Sequence, residues 1–196
     1  MSKRLFIIHG WEADPNSNWF PWLKLEASKL GFEVFVPAMP NTAHPVKDEW
    51  IAYLNKLVGV VDENTYFIGH SLGVIAILKF LEQVPVGQKA AVAILVAGFS
   101  ESLGIPEVES FTNTLLDYEK VKQSAVKFII YQSDNDPLIP LKSAVVMQEK
   151  FNADIIVIKN TDSPEDDLLQ QGNHLCEGTG DFAFPEILDN LKDYKK

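Results

Sequence analysis

Thr65-Tyr66-Phe67-Ile68-Gly69-His70-Ser71-Leu72-Gly73-Val74-Ile75-Ala76-Ile77-Leu78-Lys79-Phe80-Leu81 changes its hydrophobic pattern at its centre. Thr65 to Ile68 is β-branched and aromatic, as a strand requires, whereas Val74 to Leu81 is apolar on almost every side and predicts a buried helix. The five residues between them, Gly69-His70-Ser71-Leu72-Gly73, match G-x-S-x-G, a sharp strand-to-helix turn that exposes a serine hydroxyl. A serine held in such a turn adopts a strained backbone conformation. Its neighbours two positions away must lack side chains where the turn meets the adjoining strand and helix. The junction therefore predicts an α/β fold with Ser71 as a nucleophile.

A serine hydroxyl is a weak nucleophile at neutral pH and needs a histidine to take its proton and a carboxylate to orient that histidine. In an α/β architecture of this kind the acid and then the histidine follow the serine along the chain. His9, His44 and His70 do not lie downstream of Ser71, so His174, in Gln171-Gly172-Asn173-His174-Leu175, is the candidate base. For the acid, the strand-like run Val126 to Tyr131 leads into Gln132-Ser133-Asp134-Asn135-Asp136-Pro137-Leu138-Ile139-Pro140. Asp136 is preferred because Pro137 biases it toward an extended conformation that projects the carboxylate off the strand end. Asp134 is the competitor, with turn capping through its own backbone as its alternative role. Asp162, Glu165, Asp166 and Asp167 lie nearer His174 in sequence but have the composition of a solvated acidic loop.

Attack on a carbonyl creates an oxyanion that needs donors. Arg4-Leu5-Phe6-Ile7-Ile8 ends in His9-Gly10-Trp11, and a His-Gly pair after the first central strand is where one donor is expected. The backbone N–H groups of Trp11 and Leu72 are the assigned pair. His9 is expected to pack under this loop and bond backbone. Trp11 is a candidate pocket wall as well, and Trp11 and His70 are the candidate substrate-binding residues. Trp19, Phe20 and Trp22 have the spacing of core aromatics. Cys176 follows His174 by two positions, but a lone His-x-Cys lacks the ligand count of a zinc site. No G-x-x-x-x-G-K-[ST], G-x-G-x-x-G or H-E-x-x-H is present, so neither metal nor cofactor is expected.

These segments together resemble a known family, the small α/β-hydrolase-fold serine hydrolases of the retinoblastoma-binding-protein type and their short bacterial relatives. The resemblance rests on Ile7-Ile8-His9-Gly10-Trp11, Trp19-Phe20-Pro21-Trp22-Leu23, Val36-Pro37-Ala38-Met39-Pro40, the Ser71 turn, Ser133 to Pro140 and Gly172-Asn173-His174. It implies a cytosolic hydrolase with Ser71, Asp136 and His174 as triad. Asn173 intervenes where the family's histidine often follows glycine directly. The L-x-C-x-E partner motif associated with the retinoblastoma-binding relative is absent, and that partner is not carried over.

Composition is consistent with this expectation. A chain of 196 residues suits one domain over 1–196, with a core of its own. A net charge of -10, from 17 basic and 27 acidic residues, argues against nucleic-acid binding and against anionic membranes. A single cysteine cannot form an internal disulfide, and Leu5 to Ile8 is too short for a signal or membrane segment, so a reducing cytoplasm is expected.

Strand-like runs recur at Arg4 to Ile8, Phe32 to Val36, Thr65 to Ile68, Ala91 to Val96, Val126 to Tyr131 and Asp154 to Ile158, with helix-like segments between. This alternation predicts a three-layer fold with a mostly parallel six-stranded sheet and helices on both faces, and with the family resemblance the strand order 2-1-3-4-5-6. All three triad candidates then fall beyond carboxyl ends of strands, where open α/β sheets carry their sites. Glu101 to Gln123 is either a short cap or a surface helix with its connection. The expected substrate is a small acyl ester, thioester or amide. A hydrolase-like protein of weak turnover serving as a binding module is the alternative; dehalogenation is excluded because it would need a carboxylate at position 71.

Overall fold

The computed structural model describes residues 2–159, 174–176 and 183–192. Six strands, β1 (Lys3–Ile8), β2 (Phe32–Phe35), β3 (Thr65–His70), β4 (Ala90–Val96), β5 (Ala125–Ser133) and β6 (Asp154–Ile158), form one sheet in the order β2-β1-β3-β4-β5-β6. Every neighbouring pair is parallel. Between and after them run α1 (Phe20–Lys29), α2 (Lys47–Val58), α3 (Leu72–Leu81), a 3-10 turn (Pro106–Phe111), α4 (Tyr118–Gln123), α5 (Leu141–Phe151) and α6 (Pro185–Lys192).

Alternation along the strands divides the core in two, because successive side chains leave opposite faces of a sheet. Phe6, Ile8, Phe67, Leu95, Phe128 and Ile130 pack with α2, α3 and α5 on one face. Leu5, Ile7, Ile68, Ile94, Ile129 and Tyr131 pack on the other with Phe20 and Leu23 of α1 and Ile187 and Leu191 of α6. The central strands β3 and β4 are buried along their whole length, as parallel strands covered on both faces must be.

Helix ends follow the chemistry of their residues. Asp48 and Glu49 sit in the first turn of α2 and Lys56 in its last, each matching the helix dipole. Asn152 closes α5 in the left-handed conformation that asparagine tolerates. In α3 every residue from Leu72 to Leu81 is buried, including Lys79. The Lys79 ammonium donates to the carbonyls of Thr114 and Leu115 and pairs with Glu82 at 3.3 Å. The 101–123 stretch is thereby drawn onto α3, with Val108, Phe111, Leu116 and Val121 in the core. Among the described residues, none from this stretch lines the cleft at Ser71.

Register aligns the strand ends that carry the site. Ile8 lies opposite Gly69, and His70 opposite Val96, so β1, β3 and β4 finish at one edge.

Candidate active site

Ser71 stands between β3 and α3 with φ 53° and ψ -119°, a conformation that an L residue holds only under constraint from its surroundings. The constraint is close packing. A Cβ on Gly73 would lie 2.1 Å from the carbonyl oxygen of Ile8, and one on Gly69 2.9 Å from the Gly73 carbonyl. The turn therefore presses against β1 with no room for side chains. The Ser71 amide is tied to the Val96 carbonyl at 2.9 Å, leaving the serine Cα fixed between two strands.

The 133–140 loop brings Asp136 to His174. Its Oδ2 accepts from His174 Nδ1 at 2.8 Å, and its side chain is fully buried. Oδ1 accepts from the amides of Leu138 (2.8 Å) and Ile139 (2.9 Å). Asp136 thus caps its own turn as well as contacting the imidazole. Asp134 is exposed, and its amide bonds the Ile158 carbonyl at the end of β6. Burial alone would raise the Asp136 carboxyl, but the hydrogen bond and charge of His174 and the two amides outweigh it and hold it below the ordinary carboxylate value. Gln132, which the sequence did not single out, is buried and gives Oδ2 a further donor at 3.0 Å. Ser71 and His174 line the same cleft, although Ser71 Oγ makes no hydrogen bond to the ring here. Such contacts are commonly long until substrate is bound.

The cleft measures about 440 Å³ and is walled by Gly10, Trp11, Glu12, Leu138 and Cys176. Gly10 lies directly on the nucleophile: a Cβ there would meet Ser71 Cβ at 3.0 Å. The next amide, that of Trp11, and the Leu72 amide at the start of α3 have no backbone acceptor among the described residues. The Trp11 indole, 37% exposed, is steadied by its Nε1–H on the Ala43 carbonyl. His9 is buried: Nδ1–H donates to the Gly10 carbonyl and Nε2 accepts from the Met39 amide. Burial lowers its pKa, so it is a neutral support for the loop above.

His70, a candidate substrate-binding residue, is among the residues that line the cleft. Its ring borders the cleft floor, but it is 3% exposed and its Nε2–H donates to the His174 carbonyl at 3.0 Å. Burial, helped by the neighbouring His174, pushes its pKa down to about 3, so the ring is neutral. Trp19, expected in the core, is fully buried and also bonds the Leu175 carbonyl at 3.0 Å, a contact spanning 156 positions that no local pattern could reveal. Asp162, Glu165, Asp166 and Asp167, and Gly172 and Asn173 before the histidine, lie outside the described residues. Among the described residues no group of three or more His, Cys, Asp or Glu side chains could hold a metal ion, and no helix is long and apolar enough to cross a membrane.

Comparison with known proteins places this geometry in context. Residues 5–163 match the family model described as serine hydrolase. The YdeN protein of Bacillus subtilis is 31% identical over 195 residues, covering 99% of this chain and 97% of YdeN. The YdeN crystal structure superposes with a TM-score of 0.87 over 98% of both chains. Serine hydrolase RBBP9 of Rattus norvegicus is 24% identical over 69% of this chain and 72% of its own. Est1E of Butyrivibrio proteoclasticus, solved with ferulic acid, shares the fold at a TM-score of 0.69, 12% identity, and 97% and 87% of the two chains.

Proposed function

Because the chain belongs to the serine hydrolase family, we propose that it cleaves small ester, thioester or amide substrates through an acyl-enzyme on Ser71. In this reading Ser71 Oγ bonds to the substrate carbonyl carbon as its proton passes to His174 Nε2. The electron pair displaced onto the carbonyl oxygen is held by the Trp11 and Leu72 amides. His174 then returns the proton to the leaving oxygen, sulfur or nitrogen as its bond to carbon breaks. Water, deprotonated by the same ring, attacks the acyl carbon, and the ring passes that proton to Ser71 Oγ as its bond to the acyl carbon breaks.

The observation that carries this reading is the 2.8 Å bond between His174 and a buried, ionised Asp136, formed beside a serine in strained backbone. Asp136 keeps the Nδ1–H tautomer and so turns a lone pair at Nε2 outward. Esters are favoured over amides because an alkoxide departs with less help than an amine. No residue of the 101–123 stretch roofs the cleft, which supports small acyl groups over long-chain lipids. The single cysteine supports a reducing cytoplasm as the site of action.

The test is a series of p-nitrophenyl esters together with a fluorophosphonate probe. Acetate and butyrate should turn over faster than long-chain esters, and the probe should label wild type but not Ser71→Ala. A preference for long chains would refute the small-acyl reading. Labelling that survives in Ser71→Ala would refute the nucleophile.

A further inference from the structure

The backbone carbonyls of the base and of the residue after it are grasped from the interior by two ring N–H groups. His70 Nε2–H donates to the His174 carbonyl at 3.0 Å, and Trp19 Nε1–H donates to the next carbonyl, that of Leu175, at 3.0 Å. We propose that His70 and Trp19 are positioning residues for His174, clamping two consecutive carbonyls so that the imidazole is held between Asp136 and the cleft at Ser71. The inference rests on the reading of His174 as the base.

Both clamps are rigid. Trp19 is fully buried, with Phe20 edge-on at 4.6 Å and Phe184 at 5.8 Å. The Trp19 and Phe20 rings both meet His70 edge-on, at 6.2 and 6.1 Å, so each donor helps to fix the other. The held segment has a backbone that needs holding, because Leu175 has φ 54°. The His70 and His174 rings lie 4.9 Å apart, which puts the clamp directly beneath the base.

The chemistry of His70 argues against a packing role alone. With Nε2 carrying the proton, Nδ1 is an acceptor, and it is buried with no hydrogen-bond partner among the described residues. An unpartnered interior nitrogen destabilises the fold, and an apolar side chain of similar size would avoid that cost. What the imidazole supplies, and an apolar side chain cannot, is the N–H aimed at the His174 carbonyl. Trp19 shows the same logic: phenylalanine could fill much of its volume but could not reach the Leu175 carbonyl with a donor. Displacing a reacting group by an ångström can cost about a hundredfold in rate, so small losses of grip should be visible in turnover.

The experiment compares Trp19→Phe, His70→Leu and His70→Gln with wild type. Trp19→Phe and His70→Leu should each lower kcat roughly tenfold to a hundredfold with KM nearly unchanged. His70→Gln, whose amide N–H can replace Nε2–H, should recover most of the loss. Combining Trp19→Phe with His70→Leu should cost less than the product of the two, since both act on consecutive carbonyls. Proton NMR of the His174 Nδ1–H, bonded to Asp136, gives a reading without substrate: its resonance should broaden in Trp19→Phe and His70→Leu and persist in His70→Gln. Unchanged kcat and an unchanged resonance in Trp19→Phe would overturn the proposal. So would a His70→Gln variant, folded by circular dichroism, that is as impaired as His70→Leu. If His70→Leu fails to fold, Trp19→Phe and His70→Gln decide. A wild type that turns over no ester would count against the hydrolase reading, while the NMR comparison would still judge the clamp.

Discussion

Asp136 and Asp134 stand two positions apart at the end of β5, and the difference between them is one of direction. Pro137 fixes the chain after Asp136, and its carboxylate turns back to take two amides, Gln132 and the His174 ring. Asp136→Asn should lower kcat by roughly 10⁴, the loss seen when the orienting acid of a triad becomes an amide. Asp134→Asn should stay near wild type in the same steady-state assay, and equal losses would contradict the assignment. Two buried histidines set a pH dependence of a different kind. The unfolded His70 imidazole titrates near 6.5 and the folded one near 3, so between these values the unfolded chain binds more protons. The stability from keeping that ring neutral is complete above about 6.5 and is lost progressively as the pH falls toward 3; His9, also lowered, adds to it. Thermal melts from pH 7 to 4.5 should therefore show a falling midpoint, with a smaller fall in His70→Gln. Equal slopes would refute the assignment. The Ser71 turn and the meeting of His174 with Asp136 were legible at this scale because motif, chain order and a following proline each act locally. The second donor of Asp136 and the ring contacts of His70 were not, since they depend on which side chains the fold brings together.

The strand-to-helix turn owes its shape to elements that approach without side chains between them. Gly73→Ala would drive a Cβ into the Ile8 carbonyl at 2.1 Å, and overpacking of this kind costs about 1–3 kcal/mol or more. The variant should melt well below wild type and lose probe labelling even where it folds, because β1 leads directly into Gly10 and Trp11. A melting point within a degree of wild type would show that β1 can retreat. Lys79 offers the opposite case, an element contact remote from the chemistry. Lys79→Met leaves the Thr114 and Leu115 carbonyls and Glu82 without their donor, a loss of about 3 kcal/mol for a buried pair, discounted for the partial exposure of Glu82. The melting temperature should fall while kcat/KM below the transition stays within about twofold; a large loss of activity in folded protein would mean that the 101–123 stretch does reach the site. The six strands were legible from β-branched runs, with ends displaced by one or two residues: β3 extends to His70 and β5 to Ser133. Those extensions carry polar residues into the ladder, which hydrophobic pattern alone does not mark. The 3-10 turn at Pro106–Phe111 leaves no periodic signal, and Lys79 in a buried helix gave no sign of the carbonyls it would find.

At the scale of the whole molecule, parallel strands ending at one edge convert residues far apart in sequence into neighbours. The chain as a whole carries a net charge of -10, and Glu12 lies on the cleft wall with no lysine or arginine lining it among the described residues. An ester bearing a free carboxylate should therefore have kcat/KM roughly fivefold below its neutral isostere at low ionic strength, from about 1 kcal/mol of repulsion. The gap should narrow as salt shortens the screening length. No gap, or one that widens with salt, would show that the field at the cleft is not negative. Turnover in the proposed reaction depends on a covalent bond to one oxygen, Ser71 Oγ. Acid quenching of wild type during turnover of p-nitrophenyl acetate, followed by peptide mass spectrometry, should find an acetyl group on Ser71 and none in Ser71→Ala, which should also be inactive. Sustained turnover in Ser71→Ala, or the acetyl group carried by another residue as a competent intermediate, would contradict it.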